Sequence, residues 1–268
     1  MGIDEVGPEW FSHSIHPLHT TITRIRFPNE EGHATGFYYN FEEETYLITN
    51  RHVIAPQEGS SPDSMRIFTR SHPVPIEREF HDIDVAEGEG EDWYGHESEF
   101  DIAAVPLDFN LDSINPRIGI EDDRDPETGS LAFNKESILS EKDRVLAGDR
   151  AQIVGYPGQY VDKDFDFPVM RDAIISTNYG LPYNGTPMFL TDARMHPGMS
   201  GSPVVAGPVT LITYGGIDLW GPAYKLLGIH SSTLKQPVQE GENERMWLDL
   251  NSAWYAELIE EILLASDN

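Results

Sequence analysis

HPGMSGSPVV, residues 196–205, decides how this chain is read. Gly198 and Gly201 flank Ser200, and a Ser-Pro step leads into a pair of valines. Such a stretch is either a plain turn with a loop exit, or a loop that holds a serine hydroxyl beside convergent backbone N–H groups. The second reading needs a histidine and a carboxylate elsewhere in the chain.

Two segments supply them. YLITNRHVIA (46–55) places His52 just after an alternating apolar run, and EFDIAAVPL (99–107) places Asp101 just before one. Alone, each is a turn residue at a strand edge, and Ser200 alone is a loop serine. Together they run in the order His, Asp, Ser, with steps of 49 and 99 residues. A histidine held by an aspartate can take the proton of a serine hydroxyl. Backbone without a side chain at Gly198 lets the N–H groups of Gly198 and Ser200 converge on a developing oxyanion.

The surrounding pattern is all-β. Period-two alternation marks short strands at 20–27, 34–41, 45–50, 65–70 and 101–107. A second series follows at 150–157, 171–180, 187–193, 202–207, 209–216 and 224–231. Many short strands separated by turn clusters suggest barrels or sandwiches. The polar stretch 115–143 reads as a linker between two β-lobes. Only the C-terminus reads as helix: over about 250–265, Trp254, Leu258 and Ile262 form one apolar stripe.

Composition narrows the partners. The 268 residues carry 46 acidic and 18 basic side chains, a net charge of −28, which repels nucleic acid and anionic membranes. Only five of the basic residues are lysine, which fits either a solubility surface or a high-salt habitat. With no cysteine there are no disulfides, no thiol nucleophile and no cysteine zinc site. No window approaches the roughly 18 to 20 apolar residues of a membrane span, and the N-terminus lacks a secretory pattern. The expectation is a cytoplasmic location, export of a processed form being the alternative.

At this point a resemblance enters. TDARMHPGMSGSPVV (191–205) resembles the corresponding stretch of the HtrA-type branch of the trypsin-like, chymotrypsin-fold serine peptidases. GYPG (155–158), GMSGSPVV and LLGIHSS (226–232) resemble the glutamyl endopeptidase branch. The similarity runs over about 20–235 and is dense around four motifs. It implies two six-stranded antiparallel β-barrels with a C-terminal helix: lobe 1 at about 20–114, a linker at about 115–145 and lobe 2 at about 146–250. It implies Ser200 as nucleophile, His52 as general acid/base, Asp101 as its orienting carboxylate and the amides of Gly198 and Ser200 as the oxyanion hole. Met199 departs from the many members that carry an aspartate paired with a liberated N-terminus, so that mode of activation is unavailable here.

The resemblance also marks a specificity pocket, walled by Arg194 and Met195 before the serine and by His230, Ser231 and Ser232 on a later strand. His230 stands where glutamyl endopeptidases contact an acidic P1 side chain, which suggests glutamate, glutamine or aspartate at P1, with small apolar P1 as the alternative. A histidine near neutrality can donate to a carboxylate or amide, and Arg194 could add a bidentate charge. Met195 and the negative field of the chain weigh against an acidic substrate. The segment 210–225 lengthens the loop before the pocket strand.

Other signals are set aside. VDKDFDF (161–167) starts like a calcium loop with Asp162, Asp164 and Asp166, yet Phe167 stands where the tight turn needs glycine and Ala173 where the bidentate glutamate belongs. The acid-rich run at 87–101 reads as a solvated loop, and Pro17 breaks any helix that would align the histidines of 13–19. No metal site, cofactor or nucleotide fingerprint is expected. Two functions remain: a serine endopeptidase acting on protein or peptide substrates, or a latent or occluded module of the same fold that needs an unknown activating partner.

Overall fold

Hairpins build the first lobe. The computed structural model describes residues 16–28, 32–56, 61–70, 77–86, 93–95, 99–114, 129–139, 144–158, 160–206, 211–214, 217–220, 225–235 and 247–265. Strands β1 (Ile22–Arg26), β2 (His33–Phe41) and β3 (Glu44–Thr49) pair antiparallel in sequence. The β2–β3 turn is tight, with Glu42 in the left-handed region at φ 53. A four-residue helix α1 (Arg51–Ile54) follows, then β4 (Ser64–Arg70), β5 (Arg78–Asp84) and β6 (Ala103–Pro106). The sheet order is β5-β4-β1-β2-β3-β6.

The expected first barrel is a half-barrel. Among the described residues β5 and β6 do not pair, and the free side of β6 meets only a bridge between Tyr94 and Ala104. Strand β5, REFHDID, buries none of its side chains fully and so offers little apolar surface to close upon β6. Its polarity also hid it from a search for apolar alternation.

Two short segments cross between the lobes, β7 (Asp112–Ser113) and β8 (Leu131–Ala132), paired in parallel. The core of the expected linker, 115–128, lies outside the described residues, as do the first fifteen residues and most of the acid-rich run. Phe133, next to β8, is core: fully buried, it donates to Tyr38 O at 2.8 Å and meets Phe37 edge-on.

The second lobe is a closed barrel. It comprises β9 (Arg150–Gly155), β10 (Val169–Ile175), β11 (Met188–Asp192) and β12 (Pro203–Ala206), then, after a hairpin of β13 (Leu211–Tyr214) and β14 (Ile217–Trp220), β15 (Leu226–Lys235) and β16 (Trp247–Tyr255). The order is β10-β11-β16-β15-β12-β9. One expectation is corrected here. Helix does not begin near 250; α2 covers Leu258–Ala265. Trp254 belongs to β16 and pairs with Met188 on one side and Ile229 on the other. Both edges of that segment satisfy backbone groups across the barrel, and this tertiary pairing outweighs an apolar stripe at helical spacing. Leu258, Ile259, Ile262 and Leu263 then bury the inner face of α2.

An ion knot ties the lobes. The segment between β9 and β10 carries Asp166 at φ 56 against the sheet of the first lobe. Its carboxylate, 1% exposed, receives Arg24, Arg78 at 2.9 Å and Arg26 at 3.3 Å, all on Oδ2. Arg70 grips the same segment through Phe165 O (2.8 Å) and Asp166 O (2.7 Å) and lies over the Phe167 ring. Asp162, which a calcium loop would need as a ligand, instead accepts from the amides of Asp164 and Phe165.

Candidate active site

His52 sits in α1, the single turn that follows β3, with the imidazole 40% exposed and therefore reachable from outside. Its Nδ1 lies 2.8 Å from Asp101 Oδ2, while its backbone N–H donates to Asp101 Oδ1 at 2.9 Å. One carboxylate thus fixes both the ring and the backbone of the histidine, and with the proton on Nδ1 the outer nitrogen is left as an acceptor. A third donor, Ser231 Oγ, reaches Asp101 Oδ2 at 2.6 Å. Burial pushes the Asp101 carboxyl up, but the hydrogen bonds and charge of His52 and the Ser231 hydroxyl outweigh it, and it is held below its ordinary value.

Ser200 comes from the other lobe, in the bend before β12. Its hydroxyl turns toward Ser231 O at 3.5 Å and makes no hydrogen bond to His52. A rotation about one side-chain bond redirects it, and such contacts tighten when substrate binds. Asn50, fully buried at the N-cap of α1, links the parts: it accepts from Gly201 N at 2.6 Å and donates to Asp101 O at 2.8 Å.

The backbone around Ser200 has a definite polarity. Gly158 N donates to Pro197 O at 2.6 Å and Ser202 N to Met199 O at 3.0 Å. In a trans peptide the N–H points opposite to the C=O. With those two carbonyls held, the N–H groups of Gly198 and Ser200 face the other way, and neither has an acceptor among the described residues. Gly198 has φ +94, and a Cβ there would stand 2.4 Å from Tyr156 O, so only glycine fits.

The residues expected to wall a pocket divide. His230 is 3% exposed, its Nδ1 has no partner among the described residues, and burial, with the nearby His52, lowers its pKa to about 4. It is a neutral imidazole at pH 7. Arg194 is exposed and Met195 half-buried against the core. Ser231 holds Asp101, a role the sequence did not suggest, and Ser232 is tied to Ser252 at 3.1 Å. Asn50, Thr35 and the 155–158 turn were also missed as parts of the site. Asn50, lying two residues before His52, was the legible one. Among the described residues no cluster suits a metal ion, and no helix is long and apolar enough to cross a membrane.

The comparisons bear on the fold and the family. The HtrA-type protease AlgW, solved with a tripeptide, superposes with a TM-score of 0.53 at 18% identity, over 92% of this chain and 60% of that one. Deg5 gives 0.51 at 14% identity, over 91% of this chain and 88% of that one, and a serine endoprotease from Yersinia pestis 0.50 at 14%, over 92% and 62%. The chain therefore spans about three fifths of two of these three proteins. No curated protein matches the sequence significantly. The model of the trypsin-like peptidase domain matches residues 34–208, from the start of β2 past Ser200, and the chain belongs to that family.

Proposed function

We propose that the chain is a serine endopeptidase that hydrolyses peptide bonds in proteins or peptides through an acyl-enzyme on Ser200. The observation that carries this reading is the His52 ring bound by Asp101 at 2.8 Å, together with Ser200 and the amides of Gly198 and Ser200, which have no acceptor among the described residues. His52 Nε2 takes the Ser200 proton as Oγ attacks the substrate carbonyl. The oxyanion that forms accepts from Gly198 N and Ser200 N, and Asp101 holds the tautomer and balances the imidazolium. As the intermediate collapses, His52 passes its proton to the leaving amine. Water, deprotonated by His52, then cleaves the ester and restores the hydroxyl.

A neutral His230 with an unpartnered Nδ1 supports glutamate, glutamine or aspartate at P1. The exposed Arg194 is free to meet an acidic side chain. One observation favours a second reading, a latent form needing a partner: the Ser200 hydroxyl faces Ser231 O rather than His52.

The test is a fluorophosphonate probe followed by mass mapping. Labelling of Ser200, lost in His52→Ala and Ser200→Ala proteins that remain folded, supports the peptidase. A folded wild type that stays unlabelled supports the latent form. Peptide-library profiling then reads P1.

A further inference from the structure

The loop that carries Ser200 belongs to the second lobe, yet much of what holds it comes from the first. Thr35, fully buried in β2, donates its backbone N–H to Ser200 O at 3.0 Å. Its hydroxyl donates to Gly198 O at 2.8 Å, across 163 residues of sequence, and accepts from Tyr156 N at 3.1 Å. Thr49 Oγ1 fixes Thr35 O in turn at 2.9 Å. The clamp therefore has a support of its own.

Gly198 is the residue that most needs such a hold. Without a Cβ, its two flanking peptide planes rotate at low cost. A flip of the plane before it would turn the N–H out of the cleft and a carbonyl in. Gly158 N pins that plane through Pro197 O, and the Thr35 hydroxyl pins the following one through Gly198 O. Both dihedrals of Gly198 are thereby set by hydrogen bonds.

We propose that Thr35 is a positioning residue of the reaction: by holding Gly198 O, its hydroxyl fixes the peptide plane that follows Gly198, so that the Gly198 N–H, pinned on its other side through Pro197 O, cannot turn away by a rotation about the glycine. The inference rests on the peptidase reading of Ser200. It concerns stabilisation of charge in the transition state, so its loss lowers kcat and leaves KM nearly unchanged.

The experiment compares Thr35→Val, which keeps the shape and removes the hydroxyl, with Thr35→Ser, which keeps the hydroxyl. Fluorophosphonate labelling of Ser200, kcat and KM on a peptide substrate, and amide exchange across 196–202 are read together. Thr35→Val is expected to label and turn over ~10- to 100-fold more slowly, less than the about 10²- to 10³-fold loss of a whole oxyanion donor, with KM within about threefold. Exchange should rise within 196–202, and Thr35→Ser should stay within about threefold of wild type throughout. If Thr35→Val does not fold, Thr35→Cys takes its place, expected slow where Thr35→Ser is fast. A Thr35→Val protein as reactive as wild type overturns the role of Thr35 alone, as does a Thr35→Ser protein as slow as Thr35→Val. An unlabelled wild type overturns the peptidase reading, and the role of Thr35 with it.

Discussion

Acidification should weaken the fold through His230. The side chain is 3% exposed in β15, and burial with the neighbouring His52 depresses its pKa to about 4, against about 6.5 in an unfolded chain. The sign follows from that depression. Above pH about 6.5 the imidazole is neutral in both states and its contribution is fully present. As pH falls from there toward 4, the unfolded chain gains a proton that the folded one refuses, and stability drops. Each pH unit in that window costs about 1.4 kcal/mol, which reaches about 2.5 kcal/mol by pH 4.5. Against a total stability of roughly 5–15 kcal/mol, that is a large share. The assay is urea unfolding at pH 7.0 and 4.5, at one ionic strength, of Ser200→Ala protein with and without His230→Gln. Glutamine never charges, and the many carboxylates titrate alike in both proteins, so the difference of differences isolates His230. Wild-type His230 should lose about 2–3 kcal/mol more than the glutamine variant. Equal losses would refute the reasoning, because they would mean that charged His230 finds water or a partner inside the barrel.

Other perturbations probe what holds the lobes. Asp166→Asn leaves Arg24, Arg26 and Arg78 without their carboxylate, and breaking a buried pair of this kind costs about 3–5 kcal/mol, read as a fall in the unfolding midpoint. Phe133→Ala should cost about 3–5 kcal/mol in the same measurement, a core penalty from a residue in an expected linker. Gly201→Ala should give little soluble protein, because a Cβ would stand 2.2 Å from Thr35 O at φ +82. Gly148→Ala, at φ +96 with nothing within 4 Å, should cost only about 1–2 kcal/mol of backbone strain.

The order His52, Asp101, Ser200 was readable because each member sits at a strand edge next to a strong apolar run, and strand edges converge at the ends of barrels. Gly198 was readable because a glycine before a candidate nucleophile has a mechanical purpose. Other features left no comparable trace. Strand β5 lacks apolar alternation because it faces solvent, so periodicity could not mark it. The spacing of Trp254, Leu258 and Ile262 matched one helix, but Trp254 is claimed by β16 through pairing with β11 and β15, and only Leu258 and Ile262 lie in α2. Thr35 looks like any β-branched strand residue. Its partners at Gly198 and Tyr156 lie more than 120 residues away, and no local pattern encodes such a contact.

The way the Ser200 loop is held also explains how Met199 can stand where the resemblance leads one to expect an aspartate paired with a liberated N-terminus. Met199 is fully buried in the core and offers nothing that an ammonium could pair with. Order in the loop comes instead from Thr35, Asn50 and Gly158, none of which depends on cleavage of the chain. The segment that supplies Gly158 is itself anchored at both ends. Near the site, Tyr156 N donates to Thr35 Oγ1 and His33 Nε2 lies 2.8 Å from Tyr156 O. Farther out, Tyr156 Oη donates to Asp166 O at 2.9 Å, and Asp166 is locked among the arginines of the first lobe. Docking of the lobes and the orientation of the Gly198 and Ser200 amides are thus parts of one hydrogen-bonded assembly, and whatever separates the lobes must also loosen the loop of Ser200.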